Sequence, residues 1–167
     1  MSRIWYPLAL KVDGRTLFLL WVSDDRALDR VLADAGQVIS FTDEESAREY
    51  ALAEHLPLAP HEECHLHDLD SAVNWLAADG WADCRLLLDI WNLAGDVARS
   101  VSEAFEDRGG ALDEIYDKLF FGSNLPSMTP PGERYQPEWA TDELSLLRGR
   151  IAAAIDLIRS HVAAPGS

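Results

Sequence analysis

The sequence predicts an α+β fold, a small antiparallel sheet near the N-terminus packed against about five helices. Three observations predict it. Strand-like runs come first and helical runs follow, an order that segregates sheet from helices. Asp13-Gly14 lies between two apolar runs, and Asp-Gly is a strong hairpin signal because both turn positions accept positive φ. From Asp68 onward the apolar residues recur three and four apart instead of two apart.

The elements follow in order. Ile4 to Val12 and Arg15 to Val22 flank the Asp-Gly turn and read as two strands. Pro7 fits an edge strand, because it cannot donate to a ladder. Leu17 to Val22 is nearly all apolar and reads as a central strand covered on both faces. Asp24 to Gly36 reads as a short helix or a loop, and Gln37 to Phe41 as a third strand. Thr42-Asp-Glu-Glu45 has the form of a capping box and predicts a helix over about 43–55 that Pro57 ends. Asp68 or Asp70 caps the next helix, with Leu69, Ala72, Val73 and Leu76 inward and Gly80 at its C-terminal left-handed position. Asp83 caps a long helix over about 84–105, which Gly109-Gly110 breaks. A shorter helix carries Leu112, Ile115, Tyr116 and Leu119. Thr141 caps a last one through about 162. Residues 1–162 read as one domain and 163–167 as a loose tail.

Charge narrows the function classes. The net charge is −15. Residues 61–110 hold eleven acids against three bases, about half of that excess. Such a field repels nucleic acid and anionic membrane and draws basic partners inward. Arg outnumbers Lys twelve to two, the composition of a GC-rich bacterial genome. No signal-peptide pattern opens the chain, and no apolar run approaches the ~18 residues of a membrane span. A cytoplasmic protein with free Cys64 and Cys84 is expected.

The richest ligand run is His61-Glu-Glu-Cys-His-Leu-His-Asp-Leu-Asp70. If extended, it puts His65 and His67 on one face and Cys64 and Leu66 on the other. Two histidines lack the rest of a tetrahedral site, so the expectation is no metal and no cofactor, with His65 and His67 outward and Cys64 and Leu66 buried. Cys84 opens a helix where a dipole favours thiolate, but no nucleophile signature surrounds it or Cys64. No phosphate-binding, dinucleotide-binding, nucleophile-elbow or paired-histidine protease motif is present. No catalytic residue is assigned. Asn92 and Asp96, four apart on the long helix, are expected to hydrogen-bond the irregular segment that follows the shorter helix.

That segment, Leu119 to Trp139, is aromatic, irregular and rich in Pro and Gly. Loops longer than roughly 12–15 residues are uncommon in compact domains and usually functional or disordered. Phe120, Phe121, Leu125, Met128, Tyr135 and Trp139 read as anchors on a fixed path, stiffened by proline. Part of it doubles as a recognition surface, since Tyr, Trp and Met are favoured at interfaces.

Three stretches, Asp68 to Leu76, Leu88 to Asp96 and Tyr116 to Trp139, resemble the immunity proteins encoded beside bacterial polymorphic toxins. The resemblance spans about residues 68–148. It implies a small, acidic, non-catalytic protein that binds a cognate, possibly basic toxin domain and neutralises it by occlusion. The expected contact residues are Glu62, Glu63, Asp79 and Asp83 for steering, with Tyr135 and Trp139 as anchors. An acidic chaperone or adaptor for a secreted effector is the alternative.

Overall fold

A computed structural model describes residues 3–61, 63–78 and 80–165. The predicted α+β architecture is present, with one refinement to the sheet. Strands β1 (Ile4–Val12) and β2 (Arg15–Asp24) form the hairpin, with Asp13 at φ 50° and Gly14 at φ 75° in its turn. Strand β3 (Ala27–Val31) continues the antiparallel meander. Strands β4 (Ala33–Asp34) and β5 (Gln37–Val38) make a separate two-stranded ribbon. Strand β6 (Leu66–Asp68) joins the main sheet parallel to β1, so the sheet is mixed, in the order β3-β2-β1-β6.

Two readings of the N-terminal third are corrected. Asp24 to Gly36 holds strands β3 and β4 and the turns at 25–26 and 35–36, in place of a helix or a single loop. The β4–β5 hairpin turns at Ala35-Gly36, both at positive φ, and Ala is too poor a turn residue to announce it. Pro7 is not on an edge strand. The Trp5 amide bonds Pro57, the Ala9 amide bonds His65, and residue 7 falls on the rung between them. There the neighbouring chain has left the ladder, so proline's missing N–H forfeits no bond.

Five helices follow: α1 (Glu44–Ala53), α2 (Leu69–Ala77), α3 (Cys84–Val101), α4 (Ala111–Gly122) and α5 (Thr141–His161). Asp43, not Thr42, caps α1, and Asp68 and Asp83 cap α2 and α3. Each carboxylate accepts the amide of the residue three further on. Asp70 instead accepts the Asp13 and Gly14 amides at 2.7 and 2.9 Å, closing the hairpin turn. Gly80 does not take the left-handed position. Helix α3 stops earlier than expected, at a left-handed Ser102 with φ 59°. Ala140, not Thr141, precedes α5, and Glu143 reaches back to the Ala140 amide.

The sheet separates two cores. Leu17 and Leu19 of β2 face the larger one, with α3 at its centre and α2, α4 and α5 around it. Leu20 faces the smaller one with Ala47 and Ala51 of α1. The nearly unbroken apolar run of β2 is thus explained, and each buried leucine stabilises by roughly 1.5–3 kcal/mol. The expected loose tail begins later than residue 163. Val162 bridges Val38, the Ala163 amide bonds the Val38 carbonyl, and the Ala163 carbonyl accepts the Ser40 hydroxyl. Among the described residues no helix is long and apolar enough to cross a membrane.

Candidate functional site

Two hollows lie on different parts of this frame. The first is a cleft of about 870 Å³ between the sheet and α3, lined by residues of β1, β2, β3, β6, α3 and the chain after it. Its polar wall comes from the alternation of β6. His65 and His67 share a face, as the spacing predicts; that face meets α3, where His65 stays exposed as expected and His67 is largely covered. Leu66 on the other face is 46% exposed. The inward-leucine reading fails because β6 is an edge strand, with α3 packed against the histidine side.

Asp89 of α3 meets the two histidines. His65 Nε2 lies 2.7 Å from Asp89 Oδ2, and the His65 and His67 rings stand edge to face at 4.9 Å. One ligand-capable atom from each of the three residues lies within 4.8 Å of the others. His67 Nδ1 is buried and has no hydrogen-bond partner. Burial pushes the His67 ring down to about 4, against the pull of the Asp89 charge. His67 is therefore a neutral imidazole at physiological pH.

Two turns along α3, Asp96 is buried. Its Oδ2 accepts the Trp21 indole N–H at 3.0 Å, and its Oδ1 pairs with Arg99. Burial lifts the Asp96 carboxyl to about 6, with the Trp21 hydrogen bond and the Arg99 charge opposing. Arg99 Nε donates to the Asp29 carbonyl, and Ser100 accepts the Val31 amide, which fastens α3 to β3. Asn92 accepts the Tyr116 hydroxyl at 3.0 Å, and Arg108 covers the Tyr116 ring at 3.4 Å. Asn92 and Asp96 thus serve the cleft and not the irregular loop, a correction to their expected role. Both lie on the α3 flank that faces β2, α4 and the cleft.

The second hollow is a groove of about 940 Å³ between the start of α3 and the loop after α4. The loop is pinned at both ends and across its middle. Asn124, left-handed at φ 51°, accepts the Tyr135 amide at 2.7 Å and donates to the Tyr135 carbonyl at 2.9 Å. Lys118 donates to the Glu138 carbonyl and to Glu143, below the Trp139 ring. Gly122 packs so closely that an added Cβ would lie 2.6 Å from Cys84 Sγ and 3.0 Å from Pro137. Trp81 is 79% exposed at this groove, and Phe121, Met128 and Tyr135 are 50%, 57% and 46% exposed around an adjoining hollow.

The sequence-predicted contact residues separate. Asp83, Tyr135 and Trp139 line the groove, Trp139 partly buried against the core. Glu63 lines the cleft. Glu62 and Asp79 lie outside the described residues. Neither thiol is primed as a nucleophile. Burial and then the hydrogen bond to Glu44 push Cys64 to about 11, and burial followed by the Asp83 charge raises Cys84 in spite of its helix terminus. What the spacing does not reveal is Asp89 as the partner of His65 and His67. Its trace in the sequence is a carboxylate between Leu88 and Ile90, with nothing to tie it to residue 65.

No family model and no curated protein sequence matches this chain. Among solved structures, the SatS C-terminal domain in complex with bromine is similar at a TM-score of 0.49 and 13% identity, over 95% of this chain and 92% of that one. Likeness of that degree carries no argument about function.

Proposed function

We propose that this chain is a non-catalytic, cytoplasmic immunity-type protein that binds a bacterial toxin domain and neutralises it by occlusion, docking through the groove face. The observation that carries the reading is exposed apolar surface on two adjoining hollows that share Tyr135: Trp81, before α3, lines the groove, and Phe121 and Met128 line its neighbour, around a loop pinned by Asn124 and Lys118. Large apolar side chains gathered on one face need a partner more than scattered ones do. A loop already held in shape loses little entropy on binding. The net charge of −15 supplies the second requirement, a field that steers a basic toxin inward and raises its association rate.

Binding kinetics against the protein encoded beside this chain test the reading. Trp81→Ala and Tyr135→Ala should speed dissociation at least tenfold while leaving the melting temperature unchanged, because both side chains are exposed. Raising salt should slow association of the wild type and leave dissociation nearly constant. A wild-type protein that binds no neighbouring gene product would remove the immunity reading.

A further inference from the structure

We propose that His65, His67 and Asp89 form a binding site for one divalent transition-metal ion, zinc or a close relative, open toward the cleft. This goes beyond the docking reading and does not rest on it, since the groove shares none of the three residues.

The donor set decides the class of ion. Two imidazoles and one carboxylate suit zinc, cobalt, nickel or iron, whereas calcium and magnesium select oxygen donors. Three protein ligands leave at least one position of a tetrahedral ion free, and here that position opens into the cleft. The run from His61 to Asp70 lacks a second half when read along the chain. The fold supplies it from α3.

The ligands also sit on rigid supports. The His65 carbonyl accepts the Ala9 amide at 3.0 Å, and His67 pairs with Leu10 in the parallel ladder. Asp89 is flanked on α3 by the buried Leu88, Ile90 and Trp91. The required movement is small. Ligand atoms around a tetrahedral zinc at ~2.1 Å stand about 3.4 Å apart. The present separations, 2.7 Å for His65 to Asp89 and at most 4.8 Å overall, bracket that value, so side-chain rotations suffice. An ion would also replace the 2.7 Å contact of His65 with Asp89 by bonds to both.

The other candidate ligands do not compete. Cys64 bonds Glu44, across the strand from the histidine face. His161 bonds the Leu157 carbonyl, on the opposite end of the molecule's chain path.

The test is calorimetric titration of chelator-treated protein with zinc chloride, repeated with cobalt chloride while absorption reports coordination number. One ion per chain is expected, with a rise in melting temperature. Asp89→Asn and His65→Ala alter partly exposed side chains, so both should fold, as circular dichroism checks, and each should bind at least tenfold more weakly. Wild-type protein that takes up no zinc in excess overturns the site, whatever the variants do. Wild-type affinity retained in both variants overturns it as well, since the ion would then lie elsewhere.

Discussion

The cleft and the groove are both built against α3, yet they are opposite kinds of surface. The cleft is assembled from residues distant in sequence, and its character is covered polar groups: Asp96 with Arg99, and neutral His67 beside Asp89. The groove is assembled mostly from one continuous loop, and its character is exposed aromatic surface over a backbone fixed by proline, Asn124 and Lys118. The acidic middle third divides between them. Asp89, Asp96 and Asp107 go to the cleft and Asp83 to the groove. A charge count along a chain therefore locates a field and not a surface.

The largest expected effect that sharpens this contrast is in the cleft. Asp96 carries a folded-state pKa near 6 against an ordinary value of 3.8. Between those values the native state holds more protons than the unfolded chain, so stability is fully present below pH 4 and falls as pH rises toward 6. At about 1.4 kcal/mol for each pH unit, the loss is on the order of 3 kcal/mol. His67 works in the opposite sense. Its pKa falls from 6.5 to about 4, so its contribution is present above 6.5 and lost as pH falls toward 4. In metal-free wild-type protein the two nearly offset each other between pH 4 and 6. Asp96→Asn keeps an acceptor for Trp21 and removes the buried charge. Urea midpoints for that variant should drop steeply on acidification, while those of the wild type stay level.

The groove should answer to sterics and not to pH. Gly122→Ala places a methyl group 2.6 Å from Cys84 Sγ. Overpacking of that kind costs roughly 1–3 kcal/mol. A Cys84→Ala partner substitution should recover part of the loss, since it removes the sulfur and leaves only the Pro137 contact. Additive effects in this double-mutant cycle would break the claim that α3 and the loop are locked at this point.

Asn124→Ala should cost about 1 kcal/mol and loosen the loop between Gly122 and Tyr135, because two hydrogen bonds across it vanish. Faster proteolytic cutting near Met128, with the cleft variants cut at the wild-type rate, is the expected pattern.

The smallest effect separates charge from capping. Asp83→Asn removes a groove charge and keeps the acceptor for the Leu86 amide, so its unfolding free energy should change by only about a few tenths of a kcal/mol. Asp83→Ala removes both and should cost about 1 kcal/mol. Only the first variant isolates steering in a binding experiment.

The same contrast explains what the sequence discloses. Asp13-Gly14 and the caps Asp68 and Asp83 are local signals complete within a few residues, the aromatic loop is one continuous stretch, and each is legible. So is the shared face of His65 and His67. The direction of that face is not, because it depends on where α3 packs, and no spacing rule links residue 65 to residue 89. Strand β3 is missed for a related reason. Its sequence, Ala-Leu-Asp-Arg-Val, has only Val31 buried, and pairing with β2 makes it a strand where its own propensity does not. Pro7 misleads because proline marks a missing rung as readily as it marks an edge.

The Asp13-Gly14 turn has a consequence for how the molecule comes apart. Such turns ordinarily fray into solvent on their own, at little free-energy cost. Here Asp70 of α2 holds both turn amides, and Arg159 of α5 reaches the Asp13 carboxylate at 2.8 Å. The tip of the hairpin is thus clasped by two helices that begin and end far along the chain. Opening the turn and undocking the start of α2 become one event, so the first hairpin belongs to the same cooperative unit as the helices and exchanges its amide hydrogens with theirs.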